Sequence, residues 1–122
     1  MKYNSGNSSK FEKKVLESLR KLYPDKLIVP QFKIYPYKHK FDIGFPNERI
    51  IVECHGDYWH SHKSVFDNPN TIHPTTNKPV KQMIAVDLLR EQVAKNFGYK
   101  VIIIWEHEWN LKHEILFYDL FK

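Results

Sequence analysis

Two unbroken runs of apolar β-formers, Ile50-Ile51-Val52 and Val101-Ile102-Ile103-Ile104, constrain the fold of this chain more than any other feature. A strand with one wet face alternates apolar and polar residues, whereas a strand without alternation expects cover on both faces. Between the runs lies a helix-like segment, residues 80–97. Met83, Val86, Leu89, Val93 and Phe97 are expected on its inner side, and Gly98 is placed to end it. A strand that follows a helical crossover lies parallel to an earlier strand.

The other elements can be read around that unit. Ser9 and Glu12 have capping-box spacing, and Phe11, Val15, Leu16, Leu19 and Leu22 follow at helical intervals until Pro24. Short strands are expected over residues 32–35, 40–45 and 49–54, the last two joined as a hairpin through Pro46-Asn47. Alternation sets Phe41 and Ile43 on one face and Asp42 on the other. Asn110 is placed to cap a last helix over residues 111–121. The predicted order is α-β-β-β-α-β-α, a mixed central sheet flanked by helices. Residues 61–79 lack periodicity, and so long a loop in a small domain is usually functional or mobile. Residues 1–8 are polar and expected to be mobile.

The chain's 122 residues suit one domain, and 42% hydrophobic content suits a folded one. No run approaches a membrane span, and the opening residues lack a signal peptide's apolar stretch. The lone cysteine, Cys54, excludes an internal disulfide and suits a reducing, intracellular setting. A net charge of +5 permits a polyanionic partner such as DNA.

The chemistry concentrates after the first buried strand, in Glu53-Cys54-His55-Gly56-Asp57-Tyr58-Trp59-His60-Ser61-His62. Asp42 approaches from the paired strand. Carboxylates converging with backbone carbonyls supply the hard oxygen ligands that Mg²⁺ takes, and an imidazole nearby can deprotonate a water. Each residue also has a plainer reading. Asp42 fits a solvated edge acid, Glu12 a helix cap and Asp87 an exposed helical acid. His60 and His62 fit surface histidines, and Tyr58 and Trp59 fit core packing. The clustering weighs against the plain readings taken together.

With an acid on an upstream strand, His55-Gly56-Asp57-Tyr58-Trp59-His60-Ser61-His62 resembles the very-short-patch repair endonucleases and their homing-endonuclease relatives, within the PD-(D/E)xK nuclease fold. The likeness runs over residues 9–106 and is reinforced by the passage from Phe97 to Glu106. It implies a Mg²⁺- or Mn²⁺-dependent DNA endonuclease. Glu12 matches the family's acid on the first helix, Asp42 its metal-binding aspartate and Cys54 the residue giving a backbone carbonyl to the metal. His55 and His60 match two histidines, the second resembling the general base. Asp87 matches the acid that orients that base or a water. Tyr58 and Trp59 match two aromatic wedges, of the kind inserted between bases.

The departures carry information too. Glu53 stands where the repair enzymes have an apolar residue, and is either an added metal ligand or a strand-end acid. The family's cysteine-rich zinc site falls here on Asp57, His62, Ser64 and His107. No thiolate is left, and the balance is against zinc. A third wedge is replaced near Thr76. The N-terminal arm is also short; it and the missing wedge favour a phage-type or homing-type nuclease, with nicking as the default of one site, over a T:G mismatch-specific nickase. A non-catalytic DNA-binding module is the other rival. Lys38, Lys40, Lys63, Lys78 and Lys81 are the candidates for holding phosphates on double-stranded DNA.

Overall fold

Ser9 opens the first helix, its hydroxyl accepting the Glu12 N–H at 3.1 Å. The computed structural model describes residues 9–62, 65–112, 117, 120 and 121. The elements follow in the predicted order: α1 (Lys10–Leu22), β1 (Val29–Lys33), β2 (Lys40–Phe45), β3 (Ile50–His55), α2 (Val80–Asn96), β4 (Lys100–Trp105) and α3 (Glu106–Lys112). The strands form one sheet in the order β1-β2-β3-β4. The first two pairings are antiparallel, and β3 pairs with β4 in parallel, from Ile50↔Lys100 to His55↔Trp105. The chain is therefore α/β, with a mixed sheet.

Both sheet faces carry a core. On one, Phe11, Val15 and Leu19 of α1 and Trp109 of α3 pack against Ile43, Phe45, Ile50, Val52, Cys54 and Ile104. On the other, Ala94 of α2 meets Ile34, Phe41 and Ile51. Every residue of β3 is buried, as its unbroken apolar run requires. Gly98 ends α2 at φ +88°, a left-handed conformation that favours glycine. Arg49 then donates to the Phe97 carbonyl at 2.6 Å, placing a cation at the helix C-terminus.

Four expectations need correction. The first strand occupies Val29–Lys33, upstream of residues 32–35. On α2 the buried residues are Val80, Met83, Arg90 and Ala94, while Leu89 is 65% exposed. Met83 is inner as expected, but the buried stripe is turned from Leu89 toward Arg90, whose acidic partner on the sheet makes a charged residue an inner one. β4 is only partly buried, with Ile104 its one buried residue. It is a sheet edge, so a continuous apolar run did not guarantee cover. Finally, α3 starts at Glu106, directly after β4, and Asn110 lies within it. Glu106 and Glu108 give its first turn the acids that a helix N-terminus favours. The later part of the expected last helix falls largely outside the described residues.

Candidate active site

Asp42 sits where the sheet opens. The β2–β3 ladder runs from Phe45↔Ile50 to Ile43↔Val52 and stops, although β2 begins at Lys40 and β3 extends to His55. Side chains take over from the ladder. The Asp42 N–H donates to Glu53 Oε2 at 2.8 Å, and the Cys54 N–H donates to Asp42 Oδ2 at 2.7 Å. Across β2, Gln31 lies between the pairs Pro30↔Ile43 and Phe32↔Phe41 with φ +51°. The strands turn over here. Phe41 joins the α2-side core and Ile43 joins the opposite one, which corrects the expectation that both share a face. The cause is local: carboxylates replace carbonyls as acceptors, and a left-handed residue rotates the neighbouring strand.

Asp42 is no solvated edge acid, being 2% exposed. Glu53 is likewise buried, and its Oε1 meets Arg90 Nη2 at 2.9 Å. Arg90 also donates to the Lys40 carbonyl at 2.7 Å and lies over the Phe41 ring. Burial, then the neighbouring Asp42 charge, pushes the Glu53 carboxyl up to about 8, with Arg90 pulling the other way. Burial disfavours the Arg90 cation, but Glu53 outweighs it and raises that group further. Both Glu53 oxygens are engaged, so its geometry suits a supporting acid better than a metal ligand. Asp42 and the Cys54 main chain supply oxygen donors of the type Mg²⁺ accepts. Glu12 is buried and accepts from Gln31 Nε2 at 3.3 Å, which sets it beside the strand that flanks Asp42.

The histidines gather one step along the same seam. His60 Nδ1 and Asp87 Oδ2 are 2.8 Å apart, with side chains only 8% and 12% exposed. The turn after β3 delivers His60, its N–H bonded to the Gly56 carbonyl at 3.0 Å. His55 stacks flat on His60, and ligand atoms of His55, His60 and Asp87 all lie within 4.8 Å of one another. Glu53 and His55 are two apart on β3, about 7 Å along a strand. Glu53 reaches Arg90 from β3, while His60, in the turn after β3, reaches Asp87; Arg90 and Asp87 are three apart on α2 and so share a helix face.

A second group lies nearby. Asp57, His62 and His107 also bring ligand atoms within 4.8 Å, with His107 Nδ1 at 2.8 Å from Asp57 Oδ1. Ser64, the fourth position of the expected zinc set, and Lys63 lie outside the described residues. Lys38, Lys40, Lys78 and Lys81 are exposed, as phosphate contacts require. The two expected wedges are half-buried against His73, and the Tyr58 hydroxyl bonds that of Thr75 at 2.6 Å.

Sequence reasoning overlooked His73 and Arg90. His73 is fully buried. Its Nδ1 accepts the Thr75 and Thr76 N–H groups, which leaves Nε2 to donate to the Tyr58 carbonyl at 3.0 Å. It organises the long loop, whose Thr71 and Pro69 carbonyls in turn accept the first N–H groups of α2. Nothing in the spacing of His73 marks this role. Arg90 did carry a signal: positions 80, 83, 87, 90 and 94 form a helical stripe whose two charges, Arg90 and Asp87, meet Glu53 of β3 and His60 of the turn after it. No protein-family model matches the chain, and no curated protein matches it.

Proposed function

We propose that this chain is a divalent-metal-dependent DNA endonuclease with a PD-(D/E)xK-type core, which nicks a phosphodiester with His60 as general base. The observation that carries this reading is the largely buried His60–Asp87 pair at 2.8 Å, adjoining the strand opening at Asp42. Asp87 fixes the imidazole through Nδ1, so the opposite nitrogen, Nε2, is the one to take a proton from water. Asp42 and the Cys54 carbonyl would hold the metal ion. When bound, such an ion supplies positive charge against the phosphate oxygens and makes a nearby water more acidic. Glu53 and Arg90 hold the Asp42 backbone in position, and Glu12 supports the neighbouring strand through Gln31. The exposed lysines and the net charge of +5 suit a double-stranded DNA partner.

The parallel stack of His55 on His60 argues for proton transfer rather than chelation at these two rings. A metal lies in the plane of each imidazole that binds it. Two planes only 2° from parallel cannot both contain one ion placed between them.

The test is nicking of supercoiled plasmid with Mg²⁺ or Mn²⁺, beside His60→Ala and Asp42→Ala. Metal-dependent nicking by the wild type, lost in both variants, supports the reading. An intact plasmid with all three proteins leaves the non-catalytic DNA-binding module. A large preference for T:G-mismatched duplexes over paired ones shifts the reading to the mismatch nickase. Among the described residues no helix is long and apolar enough to cross a membrane.

A further inference from the structure

Beside His60 a cleft of about 380 Å³ opens between α2 and the edge strand β4. Ile84, Asp87, Leu88 and Glu91 form its helical wall, at the i, i+3, i+4, i+7 spacing of one helix face. His55, Ile103 and Trp105 form the sheet side, and the turn carrying His60 closes one end. Two features define what it can take. Its fixed charges are Asp87 and Glu91, both negative, and among the described residues no lysine or arginine lines it. Apart from a phosphate that a bound metal ion would bring to His60, the DNA backbone therefore finds no cationic partner here. Its surfaces are aliphatic and aromatic: Ile84 and Leu88 are 37% and 59% exposed, and Trp105 meets the His55 and His62 rings edge-on. Exposed leucine and isoleucine beside a half-buried tryptophan make an apolar slot, of a size suited to a small flat ligand.

We infer that this cleft receives a nucleobase lifted out of the helix, that of the nucleotide next to the phosphate presented to His60. The inference rests on the nuclease reading and deepens it by naming the substrate class, DNA with an unpaired nucleotide at the cut. The cleft includes His60 and Asp87 themselves, so a phosphate at His60 has its adjoining nucleotide within reach of the slot. A flat base has apolar faces for Ile84, Leu88 and Trp105, while the phosphates keep to the exposed lysines outside. Extracting a paired base costs a few kcal/mol, and an already unpaired base escapes most of that cost.

The experiment compares two DNA duplexes of equal length, one fully paired and one with a single bulged nucleotide. Affinity is read by fluorescence anisotropy in Ca²⁺, and nicking in Mg²⁺ or Mn²⁺. The expected result is about tenfold tighter binding of the bulged duplex. That ratio should fall to parity in Ile84→Trp and in Leu88→Trp, each of which fills the slot from an exposed position. Circular dichroism identifies a folded variant for the comparison. Equal binding of the two duplexes by the wild type, or a ratio that survives in a folded slot-filled variant, overturns the inference. The two readings fail separately. Nicking without bulge preference retains the nuclease and removes the slot. Bulge preference lost on filling, with no cleavage in either metal, retains the slot and removes the nuclease.

Discussion

His55 lies flat against His60, the ring centroids 3.9 Å apart and the planes 2° from parallel. The stack and the Asp87 contact together fix His60 in two directions: Asp87 holds its edge and His55 holds its face. Such a ring is oriented before any substrate arrives, which is what a general base needs. Under the nuclease reading, His60→Ala lowers the nicking rate by about 10²- to 10⁴-fold. Asp87→Asn causes a loss of similar order, since an amide can offer N–H to Nδ1 and select the wrong tautomer. Plasmid nicking time courses measure both, with Mn²⁺ binding as the control for an intact metal site. A His60→Ala protein as fast as wild type removes the general-base role.

The Arg90–Glu53 contact yields a stability prediction with a definite sign. Glu53 has an ordinary value near 4.5 and is raised to about 8 in the fold. Between those pH values the folded protein holds a proton that the unfolded chain has released. Its contribution to stability is therefore fully present below 4.5 and is lost as pH rises through about 8. In metal-free protein, urea midpoints should show this fall, and Glu53→Gln should flatten it. Arg90→Met should destabilise more at pH 9 than at pH 5, because Glu53 then ionises without its counter-charge. The expected cost at high pH is about 3–5 kcal/mol. Equal costs at the two pH values would contradict the assignment.

His73 should prove structural. Its ring satisfies two backbone N–H groups and one carbonyl in a fully buried position. His73→Ala strands those groups, at about 1–3 kcal/mol for a buried group left without its partner. Hydrogen exchange over residues 71–79 should accelerate. Exchange at the wild-type rate would mean that the loop keeps its form without the ring.

The sequence carried the skeleton because apolar periodicity and turn residues act locally. Ser9, Gly98 and the Ile50–Val52 run each specify their element whatever lies opposite. The failures arose where partners are distant in the chain. Arg90 is an inner residue only because Glu53, 37 positions away, waits on the sheet. The flip between Phe41 and Ile43 depends on Glu53 accepting the Asp42 N–H, a contact that no alternation pattern contains. His73 depends on Tyr58 in the same way. The histidine cluster was legible because His55 and His60 are five residues apart at one strand end. Asp87 was harder to judge, since its role required knowing which face of α2 turns inward.

The expectation against zinc is met by geometry that points the other way at Asp57, His62 and His107. Their rings are not parallel, His62 and His107 being tilted by 59°, so their nitrogens can converge as those of a flat stack cannot. The set offers two imidazoles and a carboxylate, a ligand type that zinc accepts. Protein dialysed against Zn²⁺ and then against buffer should retain metal by mass spectrometry, and His107→Ala should lose it. Equal metal in wild type and variant would assign any retained ion to other residues.

The last prediction separates Asp42 from Glu53. Both are buried acids at the same strand opening, and sequence alone gave each a claim on the metal. Glu53 spends one oxygen on Arg90 and the other on the Asp42 N–H, and Asp42 Oδ2 accepts the N–H of Cys54, the residue whose carbonyl would share the metal. Recruiting Glu53 as a ligand would cost contacts that hold the opening together. Mn²⁺ titration followed by electron paramagnetic resonance should therefore show binding abolished in Asp42→Asn. In Glu53→Gln, whose amide can still accept from Asp42, affinity should fall by less than about tenfold. Binding that survives in Asp42→Asn but disappears in Glu53→Gln reverses the two roles, and Arg90 would then be the residue that must move aside.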